Sequence, residues 1–227
     1  MTAQGLQNVT VWILPILFAI TLHEAAHGYV AKWCGDRTAQ MMGRLSFNPI
    51  RHIDPVGTIL VPAIGVLTGA FIFGWAKPVP VNFGALRHKR RDAALVAGAG
   101  PAMNVLIALV SIILLFGAGF LPGVAREWAA DTLANSVYLN LVLAVFNMLP
   151  LPPLDGGRVA VALLPNPLSR QLAELEPIGL LIIMGVLFLL PMLGDAVHAD
   201  FNLFRPLVQE PALWLEGVLV ALVRAVL

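Results

Sequence analysis

Apolar residues run along this chain in blocks long enough to cross a bilayer, and short polar segments between them hold nearly all of the charge. The first block covers residues 9–30. At about 1.5 Å per helical residue it reaches about 33 Å, enough to span a hydrocarbon core. A polar stretch, 32–54, carries Lys32, Arg37, Arg44 and Arg51. The next block, 56–75, is apolar but interrupted by Pro62, Gly65, Gly69 and Gly74. It leads into Lys77-Pro78-Val79-Pro80-Val81, which its prolines hold extended, and then into a basic cluster from Arg87 to Arg91 that includes His88. Apolar blocks follow at 93–120 and 133–149, joined by a short loop with Arg126, Glu127 and Asp131. Residues 158–177 read as a connector with Glu174 and Glu176 in solvent, 178–193 as apolar, 194–211 as polar, and 212–227 as a last amphipathic or membrane-embedded helix. No internal repeat is visible, and no polar stretch is long enough for a separate soluble unit. One membrane-embedded domain over residues 1–227 is expected.

Composition sharpens this picture. Hydrophobic residues make up 59% of the chain and charged ones 12%, with a mean hydropathy of +0.84. A disordered chain is excluded, and a water-soluble globular one is disfavoured. The net charge of +1 provides no electrostatic footprint for nucleic acid. Cys34 is the single cysteine, so no intrachain disulfide can form, and it reads as an inert thiol. No basic residue precedes Lys32 and no small-residue cleavage site follows the first block, so that block is not read as a cleaved signal peptide.

The candidate chemistry lies inside the first block. His23-Glu24-Ala25-Ala26-His27 is an H-E-x-x-H sequence on an expected helix. Four residues turn a helix by about 400°, so the two imidazoles fall on one face, one turn apart, where both can bind a single Zn²⁺. Glu24 is offset toward a neighbouring face, where it can take a proton from water beside the metal. Two packed histidines and an unpartnered glutamate are the bland alternative, but three ionisable residues within five positions of a membrane helix are costly and usually mark function.

A catalytic zinc takes three protein ligands and keeps one position open. Asp155 is the best third candidate, in Pro152-Pro153-Leu154-Asp155-Gly156-Gly157. The alternative is an aspartate in an ordinary turn just outside the membrane. Asn147 is read as binding the substrate backbone or helping to hold an oxyanion, with an interhelical hydrogen bond as the alternative, whereas Asn104 and Asn140 read by preference as interhelical hydrogen bonds. His52 with Asp54 is either a gating element near the metal or, by preference, a helix start in which Asp54 caps ahead of Pro55. His88 reads as solvated, and His198, with Asp195 and Asp200, as a surface residue.

Taken together, His23-Glu24-x-x-His27 and Asn147-x-x-Pro150-x-x-x-Leu154-Asp155-Gly156-Gly157 resemble the site-2 protease family of intramembrane zinc metalloproteases. The resemblance extends to Gly100-Pro101-x-x-Asn104 and to residues 74–81, which look like the family's membrane-dipping extended loop. It implies one Zn²⁺ per chain held by His23, His27 and Asp155, Glu24 as general acid/base, and a transmembrane helix of another protein as substrate. It also suggests that the extended segment pairs with the unwound substrate, although Pro78 and Pro80 limit its donors. The form is compact, with no room for a PDZ or CBS domain.

Zinc ligation also constrains topology. His27 and Asp155 must lie at similar depth, so the segments before them run the same way and residues 93–120 run opposite. Block 56–75 then cannot cross once, and is re-entrant or makes two short passes. On that arrangement 12 of the 14 Lys and Arg fall on one side, with Arg126 and Arg205 on the other. The positive-inside pattern makes the first side cytoplasmic. The expected fold is therefore an all-α polytopic membrane protein with about five to six membrane-embedded helical segments and a re-entrant or extended membrane loop. The expected site is a plasma or inner membrane metalloprotease facing the cytoplasm. A membrane zinc or cation transporter is the alternative. It would spread its carboxylates and histidines along a path through several helices, whereas here they cluster at one depth.

Overall fold

A computed structural model describes residues 3–60, 77–196 and 201–226. Every described element is helical, and no strand occurs among the described residues. Helix α1 spans Ala3–Trp33 and is followed by the single turn α2, Thr38–Met41. Helix α3 spans Lys89–Gly117 and α4 spans Gly123–Asn147. Two short helices follow, α5 at Asp155–Leu163 and α6 at Asn166–Ala173. Helix α7, Glu176–Met184, continues through a wider turn into α8, Leu190–Ala196. The last helix is α9, Glu210–Val226.

Among the described residues, five helical stretches are long and apolar enough to cross a membrane: Thr10–Trp33, Lys89–Phe120, Gly123–Asn147, Glu176–Gly194 and Arg205–Val226. The all-α polytopic architecture expected from the sequence is the one found. Most boundaries lie further out than the apolar blocks, because polar residues extend each helix beyond the hydrocarbon it needs to cross. Block 56–75 falls mostly outside the described residues, as does His198.

Helices α1, α3 and α4 form the central layer. Small residues permit their close approach: Ala19, Ala25 and Ala31 on α1 and Ala108 on α3 are fully buried. Beside them Ile112, Val137 and Leu141 pack with Leu219 and Val223 of α9. Hydrogen bonds set the directions. Trp128 Nε1 at the start of α4 donates to Thr10 Oγ1 near the start of α1, at 3.1 Å. At the other end, Arg87 N, just before α3, donates to Cys34 O, just after α1, at 3.1 Å. Helices α1 and α4 therefore run together and α3 runs against them, as ligation by His27 and Asp155 requires.

The connector expected at 158–177 contains two helices instead. Helix α5 starts at Asp155, directly after the extended Leu154. An aspartate in the first turn complements the helix dipole, and the prolines ahead of it prevent an earlier start. Gly156 and Gly157 are required by contact: a Cβ would fall 2.2 Å from Met148 O and 2.2 Å from Pro152 N, respectively. The chain leaving α4 thus lies flat against the first turn of α5. Glu174 and Glu176 are exposed as expected, paired with Arg170 at 3.1 Å and Arg158 at 3.3 Å.

Candidate metal and catalytic site

The C-terminal third of α1, the first turns of α3 and the start of α5 meet at one end of the bundle. His23 Nε2 and His27 Nε2 are 3.1 Å apart. Asp155 Oδ2 lies 3.2 Å from the first and 3.4 Å from the second. Among the described residues this is the one group of three or more His, Cys, Asp or Glu side chains close enough to share an ion.

The surroundings of these atoms fit a cation. Asp155 Oδ2 is buried and receives no hydrogen bond, a costly state for a carboxylate oxygen. Each imidazole is held through its other nitrogen. His27 Nδ1 donates to Val96 O at 2.7 Å, and His23 Nδ1 faces Asn104 Oδ1 at 2.5 Å. Both Nε2 lone pairs are then directed at the space beside Asp155, the arrangement that metal-bound histidines adopt. Two imidazole nitrogens and one carboxylate oxygen make a donor set suited to zinc with an open position.

Glu24 is offset from the histidine face, as the helical spacing predicts. Its Oε2 accepts a hydrogen bond from Val79 N at 2.8 Å. The extended segment expected at 77–81 is thereby docked over α1. It is further fixed by Lys77 N donating to His52 O at 2.9 Å and by Asn82 N donating to Asp36 Oδ2 at 2.7 Å. A cavity of about 550 Å³ opens here, lined by His23, Glu24, His27, Val79, Asn147 and Asp155 among others. Asn147 Nδ2 donates to Leu143 O within its own helix at 3.0 Å, so its carbonyl oxygen is the less committed end of the amide.

The remaining sequence candidates separate clearly. Asp54 Oδ1 accepts from Val56 N at 2.9 Å and Gly57 N at 2.8 Å, the cap expected ahead of Pro55. His52 is buried, with Nε2 donating to Ser46 O at 2.8 Å, and it anchors the loop rather than joining the metal group. His88 is exposed at the start of α3. Three contributors escaped the sequence reading: Val79 through its backbone N–H, Val96 through its carbonyl, and Gly100 through its missing side chain. Gly100 alone left a trace, inside the Gly-Pro-x-x-Asn segment.

Helices of spanning length around a part-buried His-His-Asp group, with a glutamate beside it, define a multi-pass membrane metallopeptidase. The chain belongs to peptidase family M50, the site-2 protease family, whose model matches residues 11–128 and 123–191. It is 38% identical over 208 residues to "Putative zinc metalloprotease YwhC" of Bacillus subtilis (strain 168), covering 87% of this chain and 92% of that one. It is 31% identical over 197 residues to "Putative zinc metalloprotease Rip2" of Mycolicibacterium smegmatis, covering 85% and 73%. No solved structure matches.

Proposed function

We propose that this protein is an intramembrane zinc metalloprotease that hydrolyses peptide bonds within or near transmembrane helices of other membrane proteins, with its active site toward the cytoplasm. The convergence of His23, His27 and Asp155 on one buried point carries this reading, since Glu24 stands beside that point in the same cavity. One zinc per chain would be held by these three side chains. When bound, zinc lowers the pKa of water and polarises a carbonyl.

The chain's own groups do the rest. Glu24 Oε2 takes the proton from the attacking water and returns it to the leaving nitrogen. The Val79 N–H keeps that carboxylate aimed into the cavity. Asn147 lines the approach: its carbonyl oxygen can accept from a substrate backbone N–H, and its second Nδ2 hydrogen can donate to the developing oxyanion. A substrate helix hides its carbonyls in its own hydrogen bonds, so it must unwind before it reaches Glu24. Val79 and Val81 line the same cavity and provide an extended edge against which an unwound strand can lie.

The test is Glu24→Gln in purified full-length protein. Glutamine keeps an oxygen for the Val79 N–H but cannot accept the water's proton. Cleavage of a transmembrane peptide in detergent should fall by at least about 100-fold, since general-base catalysis contributes roughly 10²–10⁴. Zinc content should stay at one per chain. Normal turnover by the variant would refute the assignment of Glu24.

A further inference from the structure

Two fully buried amides lie behind the metal group, and their direction is not free. We propose that Asn140, on α4 and out of reach of the metal, fixes the tautomer of His23 through Asn104 and thereby sets zinc affinity. The proposal rests on the zinc reading above.

Ser136 O is a backbone carbonyl and can only accept. Asn140 Nδ2 donates to it at 2.8 Å. Asn140 Oδ1 must therefore turn toward α3, where it accepts from Asn104 Nδ2 at 2.8 Å. Asn104 Nδ2 also points at Ala19 O, 3.5 Å away, a second group that only accepts. Asn104 Oδ1 is left to face His23 Nδ1. An amide oxygen cannot donate, so the imidazole proton must sit on Nδ1, and Nε2 keeps its lone pair toward Asp155.

Both asparagines are 0% exposed, so no water competes for these groups. Without Asn140 the constraint weakens. Asn104 can turn over, present its NH₂ to His23 Nδ1 and favour the tautomer whose Nε2 proton points at the metal position. His27 does not share this dependence, because Val96 O holds it directly. Helix α4 also ends at Asn147 and leads into Asp155. One helix thus bears on two of the three metal donors.

The experiment compares wild type, Asn140→Ala and Asn140→Asp as full chains in detergent. Zinc affinity is measured by competition with a chromophoric chelator, and His23 is read by ¹⁵N NMR of the zinc-free protein. Wild type should show an Nδ1-protonated His23. Asn140→Ala should bind zinc about 10–100-fold more weakly, the usual effect of losing an outer partner of a metal-bound histidine, and its His23 should show a mixture of tautomers. Asn140→Asp is buried and so kept neutral, and it can still donate to Ser136 O while accepting from Asn104. Its affinity should stay within about threefold of wild type.

A folded Asn140→Ala with wild-type affinity and an unchanged His23 spectrum would overturn the proposal and leave Asn140 a packing residue. So would an Asn140→Asp that folds yet loses zinc as Asn140→Ala does. Should Asn140→Ala not fold, the wild-type spectrum decides, since an Nε2-protonated His23 contradicts the relay. Wild type that binds no zinc removes the metal reading and this proposal together. Zinc-binding wild type beside an unaffected variant removes only the proposal.

Discussion

Gly100 shows how much a single missing side chain can decide. A Cβ there would stand 2.4 Å from His27 Nε2 and 2.5 Å from His23 Nε2, inside the space where the proposed metal donors converge. Gly100→Ala should therefore strip most of the zinc, although alanine favours a helix by about 1 kcal/mol over glycine. Metal analysis beside circular dichroism checks this: helical content should hold while zinc falls well below one per chain. Full zinc in the variant would mean that α3 can move away from α1 at no cost. His23, Glu24 and His27 were legible in the sequence because helical spacing alone aligns them. Gly100 was not, because its role depends on how far α3 approaches α1 and on which side faces inward.

At the scale of elements, the loop after α1 acts as an anchor for the extended segment. Asp36 is buried and accepts from Thr38 N at 2.9 Å, Thr38 Oγ1 at 2.5 Å and Asn82 N at 2.7 Å. Burial opposes its ionisation, but the Thr38 hydroxyl and N–H and the Asn82 N–H outweigh burial and hold the carboxyl below its usual range. A carboxyl that is more acidic folded than unfolded stabilises the fold above its unfolded value, near about pH 4. That contribution is lost as pH falls through the lower folded value. Asp36→Asn should cost about 1–3 kcal/mol at neutral pH, since an amide cannot accept all three donors. Thermal unfolding across pH checks this, and the gap between variant and wild type should close below about pH 4. A gap that persists unchanged into acid would mean Asp36 acts by shape alone. The extended character of 77–81 was readable from Pro78 and Pro80. Its docking on Glu24 was not, because a backbone N–H leaves no mark in the sequence.

For the whole molecule, the decisive relation is that His52 and Lys77 meet, with Lys77 N donating to His52 O at 2.9 Å. The chain therefore returns to the end of the bundle it left, and the charge count favours that end as cytoplasmic. Cysteine labelling tests this. Cys34 is buried and burial pushes its thiol up, so it should stay silent as a background. Ala85 and Ala125 are exposed at opposite ends. A membrane-impermeant reagent should label Ala125→Cys from outside intact cells, and Ala85→Cys only in inverted vesicles. Labelling of Ala85→Cys from outside would invert the orientation proposed here.

Local periodicity and composition were enough to establish by sequence alone that the chain is helical and spans a membrane, that His23 and His27 share a face, and that Glu24 sits beside them. Each of these follows from the helical repeat or from the cost of burying charge, and neither needs distant parts of the chain. Asp155 was a candidate from its motif, but it lies 128 positions beyond His27. Only the packing of α1 and α4 side by side, with α3 antiparallel to both, brings the two within 3.4 Å. The same packing decided which carbonyl holds His27, which amide faces His23 and why residue 100 has no side chain. Those choices depend on rotation and distance between helices, which van der Waals contact sets in three dimensions and no spacing along the chain encodes.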